Sequence, residues 1–558
     1  MKAKLKKDKS EIYECGYVHK EGIGSKLNPM KALQKGLIGT MSDGNNSDLD
    51  NAAISIFYQA HLHPQSIIKY ATKTPGWETC GDAVFAGFTK KSGIGFSSTD
   101  GSVMMGNDSI KSAGAGTYFK GFSPNMRGDK VVTITSSNGD KIEVPVQPGE
   151  SLNILSVDGK LKGEEIIIDG TKDIVIELEN GDADPNSKLH VQLICKLVGT
   201  KIIYDVLVTN ARNTITIPKE AFKNFEGSPS PFISANTIIV NRVSEKIINH
   251  TDAGALRTIS AYMDWMPLTV EGDLSKGNAL TMGFDTTKTT IVNLDLTTQG
   301  DYQFDISKGT PFTSPPVLNM KNVAVASFVL RGNLEAKDIS TSTGTYSTTT
   351  TETTKWFPEL KDEDWKILIE KMYSDFEKSL TNDFGMNLVP LSDVTQSEAY
   401  EFIKPIQDSA RQSFVEVGAG GTERILTTRW LEDIEDLGIS FPADFVSERL
   451  VQELGVDAVI AVTVDLNFNF ETEGLDPVIT IQAFAPNVSY KTAASFFKMT
   501  ANTDAVSLSE SKSFEGRDGE VIYQMIKAKE FNSGFEKALK QLIEKEEITP
   551  VYSKLWQR

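Results

Sequence analysis

Side chains suited to chemistry are sparse in this chain. It holds five histidines among 558 residues, and only His61 and His63 stand close together. The His-x-His spacing puts both imidazoles on one face of a strand, as a transition-metal ion requires. No carboxylate or third histidine lies beside them in the sequence. His190, inside a β-rich run, reads as an ordinary sheet residue. The turn Asp182-Ala183-Asp184-Pro185-Asn186 is rich in hard oxygen ligands. Calcium takes such ligands, so Asp182, Asp184 and Asn186 form the candidate calcium set. The segment from Asp43 to Asp50 is similar in composition but fails the EF-hand spacing: Asp48 takes the glycine position and Ile54 that of the bidentate glutamate.

Other catalytic patterns are missing. The glycine-rich runs at Gly93-Ile94-Gly95, Ala113-Gly114-Ala115-Gly116-Thr117 and Gly418-Ala419-Gly420-Gly421-Thr422 lack the Gly-Lys-Ser/Thr ending of a P-loop. No Gly-x-Ser-x-Gly elbow or His-Glu-x-x-His occurs. Cys15, Cys80 and Cys195 are far apart and include no CxxC pair, which excludes a zinc ribbon or thioredoxin-type site. Cys195 reads as a buried free thiol. Carboxylate-pair hydrolysis stays open in a chain with 75 Asp and Glu. Trp77, Tyr118 and Phe119 are aromatics that could stack on sugars if exposed.

The formal net charge of −18 repels phosphate backbones, so general nucleic-acid binding is not expected. No apolar run reaches the roughly 18 residues of a membrane-spanning helix. The N-terminus, Met1-Lys2-Ala3-Lys4-Leu5-Lys6-Lys7, is basic without the apolar core of a signal peptide. It fits either a cytoplasmic protein or one whose leader has been removed.

The elements that would position these groups fall into two kinds. Residues 1 to about 50 read as an extended arm, and 51–73 as holding a short helix, because Ala53, Ile56, Phe57 and Ala60 recur at helical spacing. From about 78 to 335 the chain alternates short strands and turns. Val131–Thr135 and Lys141–Val144 flank Asn138-Gly139, a strong hairpin signal. Further strands are expected at 166–168, 173–178, 188–194, 202–208, 213–217 and 237–243. Apolar/polar alternation with turns near every ten residues indicates a sandwich with one face of each sheet buried. The threonine-rich segment 336–356 reads as a solvated linker or an exposed hairpin, since threonine is a good strand former.

Residues 357–558 alternate helix and strand. Trp365, Leu368, Ile369, Met372, Phe376 and Leu380 make one stripe on a helix. A helix after Pro442 ends at Gly455, and Val456–Val464 is a buried strand. Val478–Phe484 pairs with it as a hairpin across Gly474-Leu475-Asp476-Pro477. Phe531–Glu544 is amphipathic, with Phe535, Leu539 and Leu542 on one face.

Two resemblances add to this. Lys172-Asp173-Ile174-Val175-Ile176, Ile215-Thr216-Ile217-Pro218 followed by Lys219–Phe222, and Ile238-Ile239-Val240-Asn241-Arg242 resemble a β-sandwich common in secreted and lipid-anchored bacterial proteins of unassigned function, over about 165–250. That pattern usually carries a tryptophan in its first strand, where Ile176-Glu177 stands here. Gly385–Pro390, Ser397-Glu398-Ala399-Tyr400 and Leu454–Ile460 resemble the α/β module of the TolB N-terminal domain and curli-secretion-type lipoproteins, over about 360–490. The resemblances imply a cell-envelope or secreted protein that works by association. Neither 336–356 nor 490–520 has the strict apolar alternation of a membrane-spanning strand.

The expectation is therefore an α+β multidomain protein: an N-terminal arm (1–77), an antiparallel β-sandwich region (78–335), the threonine-rich segment (336–356) and a C-terminal α/β domain with a mixed sheet (357–558). Its expected work is non-enzymatic, with protein partners and self-association, no nucleic acid and no membrane span. The rivals are a glycan- or metal-binding module and a carboxylate-dependent glycoside hydrolase. No cofactor other than calcium suggests itself.

Overall fold

A computed structural model describes residues 10–12, 18–20, 44–46, 49, 52–63, 81–90, 97–114, 116–197, 200–222, 235–248, 255–272, 294–299, 302–308, 314–343, 348–357, 360–401, 414–424, 446–485, 495–503, 519–548 and 552. These residues are mostly β, with few helices and several sheets.

An eight-stranded sheet dominates the front. In spatial order its strands are 200–210, 188–197, 235–248, 255–267, 52–60, 82–90, 117–122 and 111–114. Two four-stranded sheets, one containing 130–135 and 141–146, the other 153–157, 174–179 and 214–217, contribute to one core with it. Ile54, Ile56, Tyr58, Ile238 and Val240 from the large sheet join Val132, Ile142, Ile154, Ile176 and Ile217 from the small ones. The alternation read from the sequence thus places every second side chain inward. Gly139, at φ 94°, makes the turn between the 130–135 and 141–146 strands.

Residues 52–60 are a strand, not the expected helix. The run Ala-Ala-Ile-Ser-Ile-Phe-Tyr-Gln-Ala fits both periods. Long-range pairing decides: it lies parallel to 255–267 and antiparallel to 82–90, in mid-sheet. Ile54, Ile56 and Tyr58 then share one buried face, at period two. This strand therefore belongs with the sandwich sheets rather than with an arm.

A second sheet carries the C-terminal half. Its order is 294–299, 302–307, 495–502, 475–484, 458–468, 322–333 and 387–389, with 414–418 also on 322–333. It is mixed: 322–333 runs parallel to 458–468 and 387–389, and the hairpin 458–468/475–484 is antiparallel. The helices Asp362–Lys378 and Ala528–Glu547 share a core with it through Trp365, Leu368, Phe376, Phe531 and Phe535. A separate cluster joins Ala324, Ala326, Val459 and Ala461 to Leu450 and Val451 of helix Val446–Leu454. Strands at 294–299, 302–307 and 322–333, which fall within the expected sandwich region 78–335, pair instead with this sheet. Their alternation is equally good for either, and only partner choice distinguishes them.

One buried ion pair ties the chain end to this sheet. Lys308 Nζ lies 2.8 Å from Glu546 Oε1 and donates to the carbonyls of Pro315 (2.6 Å) and Phe496 (2.7 Å). The Val317 amide donates to Glu546 Oε2 at 2.8 Å. Burial pulls the lysine pKa down and pushes the glutamate up.

Candidate functional site

A set of buried polar side chains lies where the 52–60 strand ends and the 82–90 strand begins, beside the 262–264 stretch of the 255–267 strand. Asp82 is fully buried. It accepts from Arg127 Nε (2.7 Å) and Nη2 (2.6 Å), from the His61 amide (3.0 Å) and from Tyr58 Oη (3.4 Å). Asp264 is also buried and accepts from Lys162 Nζ at 2.8 Å and from the Ile154 amide at 2.7 Å. Each carboxylate thus has its own cation, the arrangement that buried charge requires. Arg127 lies over the Tyr262 ring, 5.4 Å from its centroid. Burial lifts the Tyr58 hydroxyl to about 12 and the Tyr262 hydroxyl above its ordinary value.

His61 and His63 lie at this rim, but not as a pair facing one point on a strand. The strand ends at Ala60, and His61 adopts a left-handed φ of 49°. The two rings bracket one indole. His61 stacks on Trp265 at 4.4 Å, and His63 meets the same ring edge-on at 4.8 Å. His61 Nδ1 is 2.7 Å from the Met263 carbonyl oxygen, so that nitrogen donates, and 4.0 Å from Asp264. Among the described residues no group of three or more His, Cys, Asp or Glu side chains is placed to hold a metal ion.

Near the Asp182–Asn186 turn lies a different cation. Arg242, which closes the Ile238-Ile239-Val240-Asn241-Arg242 run, is fully buried. It donates to the carbonyls of Glu150 (2.9 Å), Ser151 (3.2 Å) and Asn180. Burial lowers its pKa, and the Asp184, Glu150 and Asp182 carboxylates oppose that. Asp184 accepts from the Asn186 amide at 3.1 Å and from Ser244 Oγ. Both of its oxygens are thus engaged in closing the loop, while Asp182 and Asn186 are exposed. Sequence reasoning found the loop and Arg242 separately, but nothing in the local pattern announces that the guanidinium is buried.

Tyr118 and Phe119 are not exposed platforms. Both are buried, Tyr118 edge-on to Phe88 and Phe119 to Phe85. Trp77, Cys15 and Cys80 lie outside the described residues. Cys195 is buried and free, and burial pushes its thiol up to about 12.

The threonine-rich segment is a hairpin, exposed along most of its length. Glu335–Thr343 and Thr348–Trp356 pair over nine residues each, from Glu335↔Trp356 to Thr343↔Thr348. They form a two-stranded sheet to which no other described strand adds. Its base is fastened: Lys355 Nζ is 2.6 Å from Glu473 and 3.2 Å from the Phe470 carbonyl oxygen. Lys337 ties the two strands through Glu335 (3.1 Å) and Glu352 (3.2 Å). Ile339 and Trp356 are 63% and 58% exposed, so the hairpin does not fold back onto the body.

No family model and no curated protein matches this chain. Among solved structures it matches SGBP-B of the Bacteroides ovatus mixed-linkage glucan utilization locus, in complex with a mixed-linkage heptasaccharide. That match has 10% identity and a TM-score of 0.11 over 65% of this chain and 71% of the other. At that score the likeness carries no argument about fold or ligand. Among the described residues no helix is long and apolar enough to cross a membrane.

Proposed function

We propose that this chain is a non-enzymatic interaction protein of the bacterial cell envelope, built from a β-sandwich unit and a TolB-like α/β unit, with the 335–356 hairpin as its contact element. The observation that carries this reading is the hairpin's lack of a third strand among the described residues. A two-stranded ribbon leaves a row of backbone N–H and C=O groups along each outer edge, a template for strand addition. An isolated hairpin is marginal alone, so fastening its base by Lys355 is what a contact element needs. The polar rim supports the same reading. Its buried carboxylates are each matched to a cation, and its histidines are held against Trp265, so these groups serve the framework. The envelope location rests on the two sequence resemblances.

The test is to replace residues 338–353 by Asn-Gly, leaving the base pairs in place. Native electrophoresis of the solubilised envelope fraction should show the intact 61.2 kDa protein in complexes and the shortened one as a monomer. Complexes unchanged by the replacement would overturn the proposal.

A further inference from the structure

The hairpin's charge pattern identifies which partner it fits. The chain carries −18 overall, so two copies repel across most of their surfaces. From Ser340 to Thr351 the hairpin carries no charged side chain, and Thr348–Thr354 is threonine at every position but Glu352. This uncharged, open-edged ribbon is where two acidic copies can approach. Threonine is among the better strand residues, and Thr–Thr pairs across strands are favourable. The other strand has serines at 340 and 342, which makes it the poorer edge.

Resting on the association reading above, we infer that the partner is a second copy of this chain, joined by antiparallel pairing of its Thr348–Thr354 edge with the same edge of the first. A two-fold antiparallel pair sets one residue opposite itself. Centring on Thr351 pairs the whole of 348–354: Thr348 with Thr354, Thr349 with Thr353, and Thr350 with Glu352. Centring on Glu352 sets two carboxylates face to face and is disfavoured. Centring on Thr353 draws in Lys355, which is already held by Glu473. The Thr351 register alone uses the full threonine run without opposing like charges or disturbing the base. Within its own hairpin Thr351 faces neutral Ser340 and is exposed, so a charge there is tolerated in the single chain.

The experiment uses the purified full chain with light scattering. The parent should form a dimer that strengthens as salt rises from 0.05 to 0.5 M, because screening weakens the repulsion between two −18 bodies. Thr351→Asp and Thr351→Lys should each weaken the dimer more than about tenfold, since each sets like charges opposite one another. An equimolar mixture of the two should restore it as a heterodimer. Circular dichroism and thermal melts matching the parent show that both variants fold. A parent that stays monomeric at all salts overturns the inference, as does a mixture no tighter than either variant alone. If the purified parent is monomeric while envelope complexes still depend on the hairpin, self-pairing falls and the broader association reading stands.

Discussion

Asp82 holds together more of the sandwich rim than any neighbour. It binds Arg127 twice, the His61 amide and Tyr58. Asp82→Asn leaves the guanidinium without its carboxylate. Because Arg127 is 28% exposed and water takes up part of that loss, the cost is about 2 kcal/mol, below the full penalty of a broken buried pair. Urea denaturation should show it, and an unchanged midpoint would remove Asp82 from this role. Tyr58 gives the pH dependence. Its pKa is raised from 10.0 to about 12, so its contribution to stability is complete below pH 10 and lost as pH rises towards 12. Tyr58→Phe should therefore flatten part of the stability loss between pH 10 and 12. A profile identical to the parent's would assign that loss elsewhere. The charged pairs of this rim were not legible in the sequence. Asp82, Arg127, Lys162 and Asp264 are scattered over 183 positions and meet only through long-range strand pairing. His61-x-His63 was visible, but the left-handed backbone at His61 that turns it onto Trp265 was not.

At the scale of elements, legibility followed the uniqueness of the period. The helix 362–378 carries one apolar stripe and no competing pattern, and it forms where the spacing predicts. The stretch 52–60 satisfies both periods, and one of its two neighbours in the sheet, 255–267, comes from about 200 residues further along the chain. Close approach between layers is another property invisible to pattern. At Gly149 a Cβ would lie 2.6 Å from the Ala261 carbonyl carbon, on the 255–267 strand. Gly149→Ala should cost about 1–3 kcal/mol by overpacking, and a melt within error of the parent would show that the layers can part. The Lys308–Glu546 pair makes the matching prediction for the second sheet. Lys308→Met or Glu546→Gln alone leaves a buried charge without its partner and should cost about 3–5 kcal/mol. The double substitution Lys308→Met/Glu546→Gln should cost less than the sum of the single ones, by about 2 kcal/mol. Strict additivity in a double-mutant cycle would mean the two groups do not act as a pair.

Taken whole, the described chain has two principal cores, one between the front sheets and one beneath the helices 362–378 and 528–547. The β-rich front and the alternating back were both readable from the sequence, but the point where one gives way to the other was not. Strands 294–299, 302–307 and 322–333 alternate like sandwich strands and pair with the rear sheet. Separate cores predict two calorimetric transitions, with Lys308→Met moving one and Asp82→Asn the other. A single transition shifted by either substitution would mean that the cores unfold as one.

The threonine hairpin is the feature through which this molecule is proposed to act, and a proximity measurement in cells reports on it most directly. A photo-crosslinking amino acid at Thr353, on the hairpin, should join the protein to a partner on illumination. The same residue at Leu161, an exposed site on the front sheets, should not. Adducts from Leu161 and none from Thr353 would contradict the account.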